Sequence, residues 1–87
     1  MTKPELQQTL RLVLVNRFGA NPNELQDNTL LFSGGVIDSL SVMELVHFVQ
    51  GEIMRPIPTS DITLANFDSI ARIVEYVTAL PASGNAT

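Results

Sequence analysis

The chain has 87 residues, of which 45% are hydrophobic, a size that suits one folded domain and leaves no room for a second core. Its five Lys and Arg residues are scattered and its formal net charge is -4, which argues against a nucleic-acid-binding surface. It contains no cysteine, so disulfides, thiolate metal sites and cysteine nucleophiles are excluded.

The first predicted element is an amphipathic helix from about Lys3 to Phe18. Thr2 and Glu5 have the spacing of a capping box, in which each residue satisfies a backbone N–H group of the other. Apolar residues then recur at helical spacing, at Leu6, Leu10, Val13, Leu14 and Phe18. Gly19 follows directly and favours the end of the helix at that point.

Residues 20–38 are predicted to form a long connection rather than a strand, because polar residues and glycines interrupt every alternating window. Asn21-Pro22-Asn23 favours a turn, and a short helical turn is expected to follow it. Apolar residues at irregular spacing should anchor the connection, namely Leu25, Leu30, Leu31 and Phe32. A connection of this length is usually functional or packed on the core.

The second predicted helix runs from about Ser39 to Met54 and is apolar on more than one face. Its inward stripe consists of Val42, Leu45, Val46, Val49 and Ile53. A second row, rotated away from the first, consists of Leu40, Met43 and His47, and Phe48 widens the apolar surface. Such breadth indicates either deep burial or a surface that binds a partner.

The remainder of the chain predicts two further helices after the proline-rich segment 55–58. Thr59 or Ser60 is expected to cap a short third helix that reaches Leu64, and Asn66 or Asp68 to cap the last one. The inward residues of the last helix are Ile70, Ile73, Val74, Val77 and Leu80. We therefore predict an all-α domain over residues 1–80, a small four-helix bundle with three main helices, a short third helix and a long first loop. Residues 81–87 are predicted to form a flexible tail.

The segment Gly34-Gly35-Val36-Ile37-Asp38-Ser39-Leu40 has the clearest functional pattern. Asp and Ser accept hydrogen bonds from free N–H groups, so Ser39 should lie at or beside the start of the second helix. A hydroxyl at the positive end of a helix dipole favours a phosphate, either bound or covalently attached. The same residues also fit a loop and a cap with no further role, and Ser41 and Glu44 have capping-box spacing.

These residues resemble the acyl and peptidyl carrier protein family over roughly Glu5 to Leu80. Gly35-Val36-Ile37-Asp38-Ser39-Leu40 is similar to the family's glycine-x-x-aspartate-serine-leucine block, and the similarity continues through Met43-Glu44-Leu45, Ile57-Pro58 and Asn66-Phe67-Asp68-Ser69-Ile70. The resemblance implies that Ser39 carries a 4'-phosphopantetheine arm, whose thiol holds an acyl or aminoacyl group as a thioester. It also implies that Asp38 helps a phosphopantetheinyl transferase and its magnesium-bound coenzyme A to engage Ser39. Leu40 would begin the surface that faces partner enzymes.

Catalysis by the chain itself is not expected. His47 is the single imidazole, and eight helical positions, about 12 Å, separate it from Ser39. No nucleophile elbow surrounds Ser39, and the acidic residues lack the spacing of an EF-hand, so we predict no metal site. The expected protein is a carrier that serves as a substrate of other enzymes.

The predicted partner-binding residues lie outside the inward stripe and are Leu40, Met43, Glu44 and His47. The expected partners are a phosphopantetheinyl transferase, an acid-activating ligase and a downstream transferase or synthase. In fatty-acid synthesis carriers, which the chain resembles, the second helix is dense with acidic residues. Here uncharged side chains or the lone imidazole take many of those positions, namely Ser41, His47, Gln50 and Gly51. This difference favours a dedicated pathway with its own ligase.

Two other functions stay open, namely a helical interaction module without a prosthetic group and a general carrier of fatty-acid synthesis. Residues 1–20 lack the uninterrupted apolar region of a signal peptide, and no apolar run reaches the ~18 residues of a membrane span. We therefore expect a cytoplasmic monomer with no membrane partner. The short length favours a stand-alone protein, although a domain excised from a larger synthase would look similar.

Overall fold

The computed structural model describes residues 2–80, which form four α-helices and two short 3-10 turns. The α-helices are α1 (Lys3–Asn16), α2 (Val42–Ile53), α3 (Leu64–Phe67) and α4 (Ile70–Ala79). The 3-10 turn Ser39–Ser41 leads directly into α2, and the turn Thr59–Asp61 lies between α2 and α3. No strand occurs in this described part, and the predicted all-α class with a short third helix is confirmed. The predicted tail 81–87 lies outside it.

Helix α1 begins with the predicted capping box. The Glu5 N–H donates to Thr2 Oγ1 at 3.3 Å, and the Thr2 N–H donates to Glu5 Oε1 at 2.8 Å. Hydrogen bonds from the Thr2 backbone and side chain to the Glu5 carboxylate hold the pKa of Glu5 below its usual value. The helix ends at Asn16, two residues before the predicted Phe18, because the chain turns at Arg17 and Gly19 follows with a φ of +76°.

The core combines one face of each long helix with residues of the connections. Its buried members are Leu6, Leu10, Val13 and Leu14 of α1; Leu45, Val46 and Val49 of α2; Phe67, Ile70, Ile73 and Val74 of α3 and α4; and Ala20, Leu25, Leu31, Ile37 and Ile57 of the connections. Helix α4 packs against both α1 and α3. Each fully buried large apolar side chain stabilises the fold by roughly 1.5–3 kcal/mol. The predicted inward residues Val42, Ile53 and Val77 lie at the edge of this core.

The first part of the long connection is held by side chains of α1. The Arg11 guanidinium donates to the Leu25 carbonyl oxygen and to Asp27 Oδ1. The Asp27 carbonyl oxygen in turn accepts the Ala71 N–H at 2.8 Å, which links the connection to the start of α4. Leu30 is 42% exposed and is not the anchor that was predicted, because the chain at this point turns toward solvent before Leu31 enters the core.

The predicted starts of the last two helices are wrong. Thr59 and Ser60 lie in the 3-10 turn, and the short α-helix begins after them at Leu64. Ser69 caps α4, since its Oγ accepts the Arg72 N–H at 3.1 Å.

The two predicted caps of α4 are hydrogen-bonded elsewhere. The Asn66 side-chain amide donates to the Asp61 carbonyl oxygen at 2.9 Å. Asp68 binds the loop that precedes Ser39, so neither side chain is available to α4.

Candidate functional site

Ser39 opens the 3-10 turn that leads into α2, and its side chain is exposed. Asp38 precedes it with an extended backbone, and its Oδ1 accepts the Leu40 N–H at 3.0 Å. The Val42 N–H donates to the Ser39 carbonyl oxygen, so the turn continues into the α-helix. Asp38 is therefore the N-cap that the sequence predicted, and Ser39 lies at the positive end of the helix dipole.

The backbone before Asp38 depends on two adjacent glycines. Gly35 has a φ of +77°, a conformation that costs an L-amino acid roughly 1–2 kcal/mol. A Cβ at Gly34 would lie 2.4 Å from the Leu30 carbonyl oxygen, which is closer than side chains approach backbone oxygens. The Gly35 N–H donates to the Phe32 carbonyl oxygen at 3.2 Å. The chain can therefore turn tightly here because both positions lack a side chain.

Asp68 holds this turn from a distant part of the sequence. Its side chain is buried; Oδ1 accepts the N–H groups of Phe32 at 2.7 Å and Ser33 at 3.1 Å, and Oδ2 accepts the Ser33 hydroxyl. Its carbonyl oxygen accepts the Leu31 N–H at 2.7 Å, and the Leu31 carbonyl oxygen accepts the Ile37 N–H at 2.9 Å. We call residues 31–37 the anchored segment, because these bonds fix the chain that leads to Ser39.

The ionisation of Asp68 suits this role. Burial raises the pKa of a carboxyl group, but here the hydrogen bonds from Ser33 and Phe32 outweigh burial. The Arg72 guanidinium, whose Nη1 lies 3.9 Å from Asp68 Oδ2, acts in the same direction. The pKa of Asp68 is therefore below its usual value, and the group is an ionised acceptor near neutral pH.

The outer side of the Ser39 turn and of α2 carries large apolar side chains in solvent. Leu40 is 87% exposed and Met43 is 48% exposed, and Glu44 and His47 are also exposed. Exposed apolar side chains grouped in this way are a mark of interaction surfaces. We call these four residues the docking face.

Glu44 does not form the capping box with Ser41 that its spacing allows. No side-chain hydrogen bond caps α2 at Ser41, since Asp38 has already begun the helical stretch three residues earlier. The Glu44 carboxylate instead lies beside Arg17 of the α1 terminus, with Oε2 3.4 Å from Nη2.

Two proteins with related sequences link the chain to biosynthesis. No family model matches the chain. It is 39% identical over 72 residues to Lincomycin biosynthesis protein LmbN of Streptomyces lincolnensis, a match that covers 83% of this chain and 26% of that protein. It is 32% identical over 73 residues to Non-reducing polyketide synthase pigA of Monascus ruber, a match that covers 83% of this chain and 3% of that protein. The chain therefore spans only a minor part of each relative.

A solved structure matches over nearly the whole length of both chains. The fold is similar to that of the acyl carrier protein from Enterococcus faecalis, with a TM-score of 0.70 and 25% identity. The match covers 88% of this chain and 95% of that chain. The chain belongs to the acyl and peptidyl carrier protein family.

In this carrier protein the fold gathers all of the predicted site residues on one exposed surface. Asp38 caps the turn that contains Ser39 and Leu40, and the remaining docking-face residues continue from it along α2. Within residues 2–80, no group of three or more His, Asp and Glu side chains is placed to hold a metal ion. None of the helices described there has the length and apolar character to cross a membrane.

Three residues that shape the site of the carrier protein were not found from the sequence. Asp68 and Ser33 bond to each other across 35 positions, and Arg17 reaches Glu44 across 27. One local signal did exist, because Asp68 and Ser69 are adjacent residues of the capping type before a helix that needs only one cap. The capping-type residue that the helix does not need indicates a hydrogen-bond partner elsewhere in the fold, but the sequence does not identify that partner.

Proposed function

We propose that this carrier protein holds an acyl or aminoacyl group as a thioester on a 4'-phosphopantetheine arm attached to Ser39. The proposal rests on the exposed Ser39 in the Asp38-capped turn that leads into α2, within the fold of a carrier protein. A phosphate on the Ser39 oxygen would lie at the positive end of the helix dipole, which favours negative charge. The arm would supply a thiol, a group that the cysteine-free chain lacks.

In this proposal the protein positions the arm and presents the attached acyl or aminoacyl group, and other enzymes perform the chemistry. The Ser39 hydroxyl oxygen is the atom that a phosphopantetheinyl transferase modifies. Asp38 holds the turn through the Leu40 N–H and helps the transferase and its magnesium-bound coenzyme A to engage Ser39. Leu40 supplies the first apolar contact, since it is almost fully exposed beside the modified residue.

The docking face would receive each partner in turn, because any enzyme that reaches Ser39 must lie over it. Leu40 and Met43 offer apolar contact area, and the flexible thioether of Met43 adapts to different partner surfaces. Glu44 adds a charge that steers an approaching partner, and His47 forms the edge of the surface. Besides the transferase, the proposed partners are an acid-activating ligase and a downstream transferase or synthase.

We propose that the protein works in the cytoplasm as a monomer. We propose further that a dedicated ligase loads it with an amino acid or another small carboxylic acid. Glu44 and Glu52 are the only acidic residues of α2, a weak attraction for the basic surfaces of fatty-acid enzymes. Thioester formation on the modified protein should be compared between aminoacyl and fatty acyl ligases. Efficient loading and elongation by the fatty-acid enzymes alone would contradict this assignment.

The attachment site can be tested by intact-protein mass spectrometry after incubation with coenzyme A and a broad-specificity phosphopantetheinyl transferase. The wild-type protein should gain the mass of one phosphopantetheine group, and Ser39→Ala should remain folded and gain none. Ser41→Ala is the matched control, since it removes a hydroxyl from the same 3-10 turn, and it should be modified normally. A normal gain in Ser39→Ala would refute the site. No gain in the wild-type protein would favour an interaction module without a prosthetic group.

A further inference from the structure

Arg17 connects the end of α1 to the docking face. Its Nη2 lies 3.4 Å from Glu44 Oε2, and the two side chains are 57% and 62% exposed. The Arg17 N–H donates to the Val13 carbonyl oxygen at 2.8 Å, which holds the residue at the C-cap of α1. The fold thus places a cation directly beside the one carboxylate of the docking face.

The docking face consequently presents little unpaired negative charge. Its one carboxylate, that of Glu44, is turned toward Arg17, and Asp38 lies outside the face at the cap of the turn. The next acidic residue of α2 is Glu52, eight positions further on, about 12 Å along the helix axis. A basic partner would have to compete with Arg17 for Glu44 and would meet the Arg17 guanidinium as well.

Apolar surface borders this ion pair on the α1 side as well. A shallow open groove between α1 and α2 adjoins the pair and is lined by Thr9, Leu12, Val13, Asn16, Arg17 and Phe48. Leu12 is 51% exposed in this groove. The Arg17–Glu44 pair is therefore flanked by Leu40 and Met43 in one direction and by Leu12 in the other.

We infer that Arg17 determines partner specificity, a conclusion that rests on the proposed docking function. It neutralises Glu44, so the docking face favours an apolar partner surface bordered by charges of both signs over a uniformly basic one. Such a partner places an acidic group near Arg17 and a basic group near Glu44, whereas a basic partner is repelled by Arg17. An exposed ion pair contributes little to stability, so Arg17 acts on partner choice more than on the fold.

The test uses two phosphopantetheinyl transferases as probes, one with a uniformly basic docking surface and one with an apolar docking surface that is bordered by charges of both signs. The measured quantity is the ratio of their kcat/KM values, basic over apolar. Arg17→Gln should raise this ratio about two- to fivefold at low salt, the range expected for the competition of one exposed ion pair. The rise should disappear at high salt and in the double variant Arg17→Gln/Glu44→Gln, because both remove the attraction of the exposed carboxylate.

Lys3→Gln is the matched control. Lys3 forms a comparably exposed ion pair with Glu75 at 3.1 Å, and its replacement changes the net charge equally while leaving the docking face intact. An unchanged ratio of the kcat/KM values in Arg17→Gln, or an equal rise in Lys3→Gln, overturns this inference and leaves the proposed function intact. Failure of both transferases to modify the wild-type protein overturns the proposed function and the inference together, so the two failures are distinct.

Discussion

The two sides of the Ser39 turn are built in opposite ways. On the inner side, the anchored segment inserts Leu31 and Ile37 into the core and is bonded to the buried carboxylate of Asp68. On the outer side, the docking face lies in solvent, and the Asp38–Leu40 hydrogen bond spans only two residues. The contrast indicates that the buried contacts of the anchored segment determine the position of Ser39. The outer residues are thereby left to contact partners.

The largest expected effect separates the two faces of α2. Val46 is 1% exposed, so Val46→Glu places an unpaired charge in the core at a cost of several kcal/mol and should abolish the cooperative thermal transition followed by circular dichroism. Met43 is half-exposed, so Met43→Glu should change the free energy of unfolding by no more than about 0.5 kcal/mol. Met43→Glu should nevertheless slow the modification of Ser39. If both variants unfold equally, Met43 belongs to the core and the docking face is wrong.

The next effect concerns the hydrogen bonds from the anchored segment to the Asp68 carboxylate, which we call the clasp. Asp68→Ala leaves the N–H groups of Phe32 and Ser33 without their acceptor, and should lower the free energy of unfolding by about 3 kcal/mol in urea titrations. Asp68→Asn keeps one side-chain oxygen and should lose about half as much. Amide hydrogen exchange at Phe32 and Ser33 should accelerate in the same order. Unchanged exchange in Asp68→Ala would show that the clasp does not hold the anchored segment.

The same clasp predicts a pH dependence. The pKa of Asp68 is lower in the folded chain than its usual value of 3.8, so its ionised form stabilises the fold above that pH. As the pH falls through the folded pKa, this stabilisation is lost. The difference in unfolding free energy between wild type and Asp68→Asn should be constant above about pH 5 and shrink below about pH 4. The lowered pKa of Glu5 adds an acid-sensitive contribution to both proteins, which cancels in the difference. A difference that grows in acid would contradict the assignment.

The smallest effect concerns the C-terminal end of α2, where Met54 is 85% exposed and adopts a left-handed φ of +57°. This conformation costs an L-amino acid roughly 1–2 kcal/mol, and glycine avoids that cost. The greater conformational entropy that glycine loses on folding cancels part of the gain. Met54→Gly should therefore stabilise the protein by about 0.5 kcal/mol in urea titrations. Met54→Ala keeps the backbone cost and should show no such gain. Equal gains in both variants would assign the effect to the side chain.

Local patterns were sufficient wherever the stabilising contact lies within a few residues. The Thr2–Glu5 capping box and the Asp38 cap were both predicted, because donor and acceptor are neighbours in the sequence. The inward residues Leu45, Val46 and Val49 followed from helical spacing in the same way. The motif around Ser39 located the candidate site in the sequence. The attachment of a prosthetic group to Ser39 and the binding of partners to the docking face remain predictions.

Contacts between distant residues could not be derived in this way. Asp68 and Ser69 are equally good caps by residue type, and the choice between them depends on Ser33 and Phe32, 35 and 36 positions away from Asp68. Glu44 had a local partner in Ser41, but Arg17 lies beside it only after α1 and α2 have packed. In both cases two partners were chemically suitable, and the tertiary fold decided between them.

The positions of Asp68 and Ser69 in the sequence determine when, during synthesis of the chain, the segment around Ser39 can be fixed. A chain is synthesised from its N-terminus, so Ser39 is made 29 residues before Asp68. Until then the anchored segment lacks its buried acceptor, and α4, which Ser69 caps, is not there to pack on α1. A nascent or truncated chain that ends before Asp68 carries the whole Gly35–Leu40 motif without the contacts that hold it. The turn that positions Ser39 can therefore become fixed only after the chain has been synthesised through Asp68 and into α4.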